Sequence, residues 1–326
     1  MMIRTRAGSE STAAPGHSAT GAHATARTYR MAYLGSGSDA GSAHLQRDLF
    51  ARLRELGYAE GENLLVERRF ADGEFKRLPG LAAELVGLKP DVLFVTGTQG
   101  AVAASRETRD IPVVFASVSY PVGMGLVRSL KDPGTNLTGL ANQSDVLSRK
   151  RLELLKEVFP AATRVAVIHN PQNAVEALML AAMDEASARL KLALPLVRVN
   201  TEQDYAPAFR MLHSERPDVL YVIESPLNFM HRARIVESVS GQRLPAVYGL
   251  AEFADAGGLM SYSYSLSEHV RAAAGFVDRI LKGAKPADLP VEQPTRFELV
   301  INLKTARAQD VKFPRAVLAR ADRVIE

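Results

Sequence analysis

Two short stretches far apart in the chain nearly coincide: Lys89-Pro-Asp-Val-Leu-Phe94 and Arg216-Pro-Asp-Val-Leu-Tyr221. Downstream of each, Asp110-Ile-Pro-Val-Val114 is echoed by Arg243-Leu-Pro-Ala-Val247. In every case a proline, which cannot continue a helix, is followed by apolar and largely β-branched residues, the composition of a buried strand. The same strand starts recurring in the same order predict one folding pattern used twice.

The pattern itself is an alternation of strands and helices. In the first half the apolar runs at 29–34, 63–70, 91–96 and 111–116 read as strands. Between them, 43–56 carries Leu45, Leu49, Leu53 and Leu56 at helical steps, and 78–87 and 101–108 are also helical in pattern. The second half reads strands at 164–169, 193–199, 218–223, 244–248 and 259–264, separated by helices at 174–190, 205–216 and 231–241 after an opening helix at 147–159. Parallel strands need crossovers, and helices supply them. The expected fold is therefore α/β, with two doubly wound parallel-sheet lobes and a ligand cleft between them. The stretch 111–144 holds the last strand, a Ser/Tyr/Pro/Gly loop, a short helix-like piece at 125–130 and a further short strand at 136–140, and it reads as the crossing between lobes. Lobe 1 is expected at 28–142 and lobe 2 at 143–264. The remainder, 265–326, with a helix at 267–281, a strand at 297–302 and a final helix or turn, is expected to return mainly onto lobe 1 with a further crossing. The first 27 residues are small, polar and aperiodic, and read as a disordered tail.

At 326 residues there is ample chain for two cores. The net charge is only +4, so nucleic-acid binding would need a local basic patch. The basic clusters at 47–54 and 149–151 lie at helical spacing and read as solvated helix faces, so no nucleic-acid partner is expected. With no cysteine, disulfides, thiolate metal sites and a Cys nucleophile are excluded. No G-x-S-x-G, Walker A or H-E-x-x-H sequence is present, and neither catalytic nor metal residues are assigned. No apolar run is long enough to span a membrane, and the N-terminus has no apolar core of a signal peptide.

Ligands of open parallel sheets sit beyond the carboxyl ends of the strands. The residues there are Ser36 and Ser38, Thr98 and Gln99, Ser117, Ser119 and Tyr120, Asn170 and Asn173, Glu224 and Ser225, and Tyr248 and Glu252. These hydroxyls, amides and two acids suit a small polar or zwitterionic solute, its carboxylate near Ser36 or Thr98 and its ammonium near Glu224 or Glu252. Single Ser and Thr residues there also serve as helix caps. Tyr248, Tyr262, Tyr264 and Phe229 offer an aromatic wall, and His169 ends a strand where it could face the cleft. One loop has a rival reading: Gly35-Ser-Gly-Ser-Asp-Ala40 fits the G-x-G-x-x-A dinucleotide fingerprint, with Glu67 suited to a ribose and Arg68 or Arg69 to a 2′-phosphate, which makes an NADP-linked oxidoreductase the enzyme alternative. A ligand-sensing domain for a signalling partner is a third reading.

Longer runs carry a family resemblance. Leu53-Arg-Glu-Leu-Gly-Tyr-Ala-Glu-Gly-Glu-Asn63, Pro112-Val-Val-Phe-Ala116, Asn136-Leu-Thr-Gly139 and Arg151-Leu-Glu-Leu-Leu-Lys156 resemble the TrpX-like ABC transporter substrate-binding proteins. So do Ala246-Val-Tyr-Gly249, Gly257-Gly-Leu-Met-Ser-Tyr262, Ile280-Leu-Lys-Gly-Ala-Lys-Pro-Ala-Asp-Leu-Pro290, Phe297-Glu-Leu-Val-Ile-Asn-Leu-Lys-Thr305 and Ala319-Arg-Ala-Asp322. The resemblance runs from Tyr29 to the end. It implies a type I periplasmic-binding-protein fold that closes by hinge motion on an amino-acid-like solute and presents it to an ABC permease. It also implies a monomer in the periplasm, a location that the written N-terminus, with neither an apolar core nor a lipobox cysteine, does not itself indicate; the cytoplasm is the alternative. No cofactor is implied. Where relatives carry an acid before the Pro-Val of the strand-four loop, this chain has Tyr120, which points away from an α-amino acid if that acid holds the amino group.

Overall fold

The computed structural model describes residues 27–326; the tail expected at 1–27 falls, but for Arg27, outside the described residues. The first lobe is built from β1 (Tyr29–Gly35), α1 (Asp39–Glu55), β2 (Leu64–Phe70), α2 (Leu78–Gly87), β3 (Val92–Thr96), α3 (Thr98–Glu107), β4 (Val113–Val118) and β5 (Leu137–Ala141). The strands form one parallel sheet in the order β2-β1-β3-β4-β5. Its inner strands read as unbroken apolar runs because both faces are covered: β3 and β4 are buried almost throughout. Residues 125–130, expected to be helix-like, form turns and bends, since Gly125 sits at φ +68 and interrupts any helix. β5 lies so close to β4 that a methyl group on Gly139 (φ +141) would stand 2.0 Å from the Phe115 carbonyl oxygen. Only glycine fits there.

The second lobe follows with α4 (Ser144–Val158), β6 (Val165–His169), α5 (Ala174–Leu190), β7 (Leu196–Arg198), α6 (Tyr205–Glu215), β8 (Val219–Val222), α7 (Pro226–Met230), α8 (Arg232–Gly241), β9 (Ala246–Tyr248), α9 (Ala251–Asp255) and β10 (Met260–Ser263). The chain then returns. In α10 (Leu266–Leu281) the residues Val270, Ala273, Ala274, Val277, Ile280 and Leu281 make an apolar stripe at three- and four-residue steps. That stripe packs in one cluster with Met31, Phe94 and Val114 of the first sheet and Leu49 and Leu53 of α1. Burying a Val, Leu, Ile or Phe side chain contributes roughly 1.5–3 kcal/mol, so the stripe anchors α10 firmly on lobe 1.

From there the tail leaves lobe 1. After Glu292, whose backbone bonds β5, the chain crosses a third time. β11 (Glu298–Asn302) pairs antiparallel with β10, and β12 (Arg323–Ile325) pairs with β11, separated from it by α11 (Leu303–Ala308) and α12 (Arg315–Leu318). The second sheet thus has seven strands, β12-β11-β10-β9-β8-β6-β7. The segment expected mainly on lobe 1 is shared between lobes, because β10 leaves a free edge that the apolar Leu-Val-Ile of β11 covers. Among the described residues no helix is long and apolar enough to cross a membrane.

Candidate functional site

The carboxyl ends of the two sheets face each other and enclose a cavity of about 150 Å³. The lobe 1 wall comes from the turn after β1, the start of α1, the β3–α3 junction, the end of β4 and Asn142; the lobe 2 wall comes from Asn173, the β8–α7 junction, Leu250 and Tyr264. The lobes touch across it. Gln99 Nε2 donates to Asn173 Oδ1 at 3.1 Å, and His44 Nε2 on α1 lies 3.9 Å from Glu252 Oε1 on α9.

Nine of the residues expected at the strand ends line this cavity: Ser36, Ser38, Thr98, Gln99, Ser117, Ser119, Asn173, Glu224 and Ser225. Several hydroxyls already have work within the chain. Ser36 donates to the Thr96 carbonyl at 2.7 Å, and Thr98 Oγ1 accepts from the Ser119 N–H at 2.9 Å. Ser38 and Ser225 cap α1 and α7, accepting from Gly41 N and Asn228 N. Asn173 caps α5 while also accepting from Gln99. Ser117 holds a left-handed backbone, φ +58, which turns β4 out of its ladder at the cavity wall.

Four expected residues stand elsewhere. Tyr120, also left-handed at φ +52, lies off the cavity wall and packs against the lobe 2 core, where its buried hydroxyl has no partner among the described residues. Asn170 turns its amide oxygen to the Gln172 N–H, making a local Asx turn. Tyr248 is buried flat against Phe253 at 5.0 Å, as core. Glu252 faces His44 outside the cavity. Of the aromatic wall, Phe229 and Tyr264 line the cavity, whereas Tyr248 and Tyr262 do not; His169 is buried at the end of β6, off the cavity wall.

The largest miss is Arg151, read as part of a solvated helix face. Its side chain is 0% exposed. Nε donates to the Tyr262 carbonyl at 2.7 Å, Nη2 to the Gly249 carbonyl at 2.8 Å, and Nη1 to the Tyr221 hydroxyl at 3.0 Å and to Glu224 Oε2 at 2.6 Å. Burial is the largest single influence and pulls the guanidinium down, but the charges and hydrogen bonds of Glu224 and Tyr221 together outweigh it and hold it above its usual range. Glu224 approaches because Gly249 has no side chain: a methyl group there would stand 2.4 Å from Glu224 Oε2. The other carboxylate oxygen, Glu224 Oε1, is buried and among the described residues has no hydrogen-bond partner, on a residue of the cavity wall. A buried acceptor left open in this way is unusual and calls for a donor.

A second buried acid sits beneath. Glu176 accepts from the Asn170 N–H at 2.7 Å and from Asn173 Nδ2 at 3.1 Å, and so orients the amide that meets Gln99. Burial pushes its carboxyl up to about 8, against the pull of those two donors. Its folded value lies above its unfolded value, so the folded chain holds a proton that the unfolded chain has released. Stability contributed by that proton is present at low pH and is lost as pH rises toward about 8. Glu176→Gln is expected to flatten this part of the curve of urea midpoint against pH; an unchanged slope would remove Glu176 as its source.

The dinucleotide reading of the Gly35–Ala40 loop does not fit the geometry. Arg68 is engaged by Glu60 at 2.6 Å and lies over the Phe50 ring, and Arg69 bonds Glu84 at 3.0 Å. Met230 of the opposite lobe stands in front of the loop, and a methyl group on Gly37 would be 3.7 Å from its Cγ.

Comparison with known proteins agrees with this arrangement. Residues 42–325 match the family model for ABC transporter substrate binding proteins. A tyrosine-binding protein of Clostridioides difficile is 26% identical over 80% of this chain and 74% of its own length. Among solved structures, a conserved domain protein of Vibrio cholerae is 27% identical, covers 91% of this chain and 100% of its own, and superposes with a TM-score of 0.85. An ABC domain from Streptococcus pneumoniae in complex with L-Trp, 22% identical with the same coverage, gives 0.84. A ligand-free, open substrate-binding protein from Clostridium difficile, 21% identical over 91% of this chain and 99% of its own, gives 0.64. A two-lobed α/β fold with a cleft walled by hydroxyls, amides and one open carboxylate, matched over nearly its whole length, makes the chain a non-enzymatic solute-binding protein: it belongs to the ABC transporter substrate-binding protein family.

Proposed function

We propose that the chain captures an α-amino acid with an aromatic or large aliphatic side chain, closes on it as a monomer outside the cytoplasm, and presents it to an ABC permease. The observation that carries this is Glu224 Oε1, a buried carboxylate oxygen that has no donor among the described residues, on the wall of a mostly apolar cavity. An ammonium supplies the missing donor, and its charge makes that hydrogen bond a strong one. Arg151 donates to only one of the carboxylate's two oxygens, leaving the other for the ligand. The Tyr120 departure loses its force, since the acid at the cleft is Glu224 and Tyr120 points away.

The other two ends of the ligand have matching walls. The N-termini of α1 and α3 reach the cavity near Ser38 and Thr98, where free N–H groups and the helix dipole favour a carboxylate. Leu45, Phe229, Leu250 and Leu266 form a continuous apolar surface beside Tyr264 for the side chain. The relatives named for tyrosine binding and solved with L-Trp support the same class of solute. The cross-lobe contacts and the higher score against the L-Trp complex than against the open, ligand-free protein support a closed arrangement.

The chain contains no tryptophan, so added L-tryptophan can be followed by its own fluorescence. Calorimetric titration with L-phenylalanine, L-tyrosine, L-leucine, benzoate and a hexose is expected to show tight binding only among the amino acids. Equal binding of benzoate, which has no ammonium, would overturn the reading.

A further inference from the structure

We propose that Met230 sets the size of the solute that the cleft admits, closing the outer wall of the cavity from a seat on the opposite lobe. This rests on the reading of the cleft as an amino-acid site. Met230 is the last residue of α7; it is half-exposed and lines the cavity, so it forms wall between ligand and solvent, together with the half-exposed Phe75 of lobe 1. Three lobe 1 glycines face it. A methyl group on Gly37 would stand 3.7 Å from Met230 Cγ and Sδ, one on Gly41 3.6 Å from Cγ, and one on Gly73 3.6 Å from Sδ.

At those spacings a first added carbon only touches the methionine, and a branched side chain collides with it. Gly73 (φ +78) is needed by its backbone, but Gly37 has no left-handed conformation. What the absent side chain at Gly37 provides is room for Met230. The Gly-Ser loop that resembles a phosphate cradle is therefore the seat of a side chain from across the cleft.

The consequence is a size limit. A cavity of about 150 Å³ is the size that accommodates a single benzene ring in an apolar protein interior. An indole is larger than a phenyl ring by a fused five-membered ring, so it needs the wall to retreat further than a phenyl group does. Met230 is the part of the wall that meets Gly37, Gly41 and Gly73 of the opposite lobe.

The test has two arms. In the first, L-phenylalanine and L-tryptophan are titrated into the native chain and into Met230→Ala. The native chain is expected to prefer phenylalanine, and the variant to raise the tryptophan-to-phenylalanine affinity ratio at least about tenfold, the scale on which single methylene groups are discriminated in apolar pockets. If both ligands weaken by the same factor, Met230 is mere packing and the proposal fails. The second arm needs no ligand. The chain has no cysteine, so spin labels can be placed at Glu107→Cys on α3 and Ala233→Cys on α8, both exposed and on opposite lobes. Gly37→Val is expected to lengthen the distance between labels, and adding Met230→Ala to restore it. An unchanged distance in Gly37→Val, or no restoration in the pair, overturns the seat. Should neither amino acid bind the native chain, the amino-acid reading falls separately and the seat is still decided by the second arm.

Discussion

Arg151→Met is expected to destabilise the protein by about 3–5 kcal/mol, because it leaves Glu224 as a buried carboxylate with neither counter-charge nor donor. The same change strips donors from the carbonyls of Tyr262 and Gly249 and from the Tyr221 hydroxyl, all packed around the guanidinium. Urea unfolding at neutral pH measures it. The double variant Arg151→Met with Glu224→Gln removes both charges, and is expected to recover a large part of the loss, since most of the penalty is that of an unpaired charge and little of it is the net worth of the pair. A single variant losing less than about 1 kcal/mol, the scale of an exposed pair, would mean that water reaches the cluster.

The second large effect concerns the ligand. Glu224→Gln keeps an acceptor for Arg151 but puts an amide where the ammonium is expected. Truncating one partner of a buried charge pair weakens binding by about 2–5 kcal/mol, a factor of tens to thousands. The loss is expected for L-phenylalanine and not for 3-phenylpropanoate, which has the same ring and carboxylate and no amino group. If both ligands weaken alike, the carboxylate acts on the fold of the cleft and does not meet the ammonium.

The lobes were legible because parallel strands covered on both faces carry continuous apolar runs, and because the Pro-Asp-Val-Leu start occurs twice. The β10–β11 partnership was not, because the apolar pattern of Glu298–Asn302 marks a strand without naming the edge it joins. The cavity wall followed from the rule that loops after parallel strands carry the site, which located Thr98, Gln99 and Glu224. It failed where the backbone turns a side chain aside: Tyr120 sits next to Ser119, yet its left-handed φ sends it into the core. Arg151 was unreadable for a different reason. Between Lys150 and Glu153 it has the spacing of a solvated helix face, and the carboxylate that makes its burial tolerable lies on a strand end more than seventy residues on. Met230 gave no signal either, since its significance comes from what three glycines lack.

The return of α10 to the first lobe has a consequence for the order in which the protein assembles. Met31, Phe94 and Val114 lie on a sheet face that α1 covers in part and α10 completes, and α10 is synthesised only after the whole of the second lobe's parallel core. The second sheet in turn awaits β11 and β12, the last strands made. Neither half can complete its buried surface while the chain is still growing. Long-range pairing of this kind is slow to form, and a chain cut short before Leu266 leaves the α10-facing apolar side of the first sheet open to water. The two halves that wall the cleft therefore complete their folding together, at the very end of the chain.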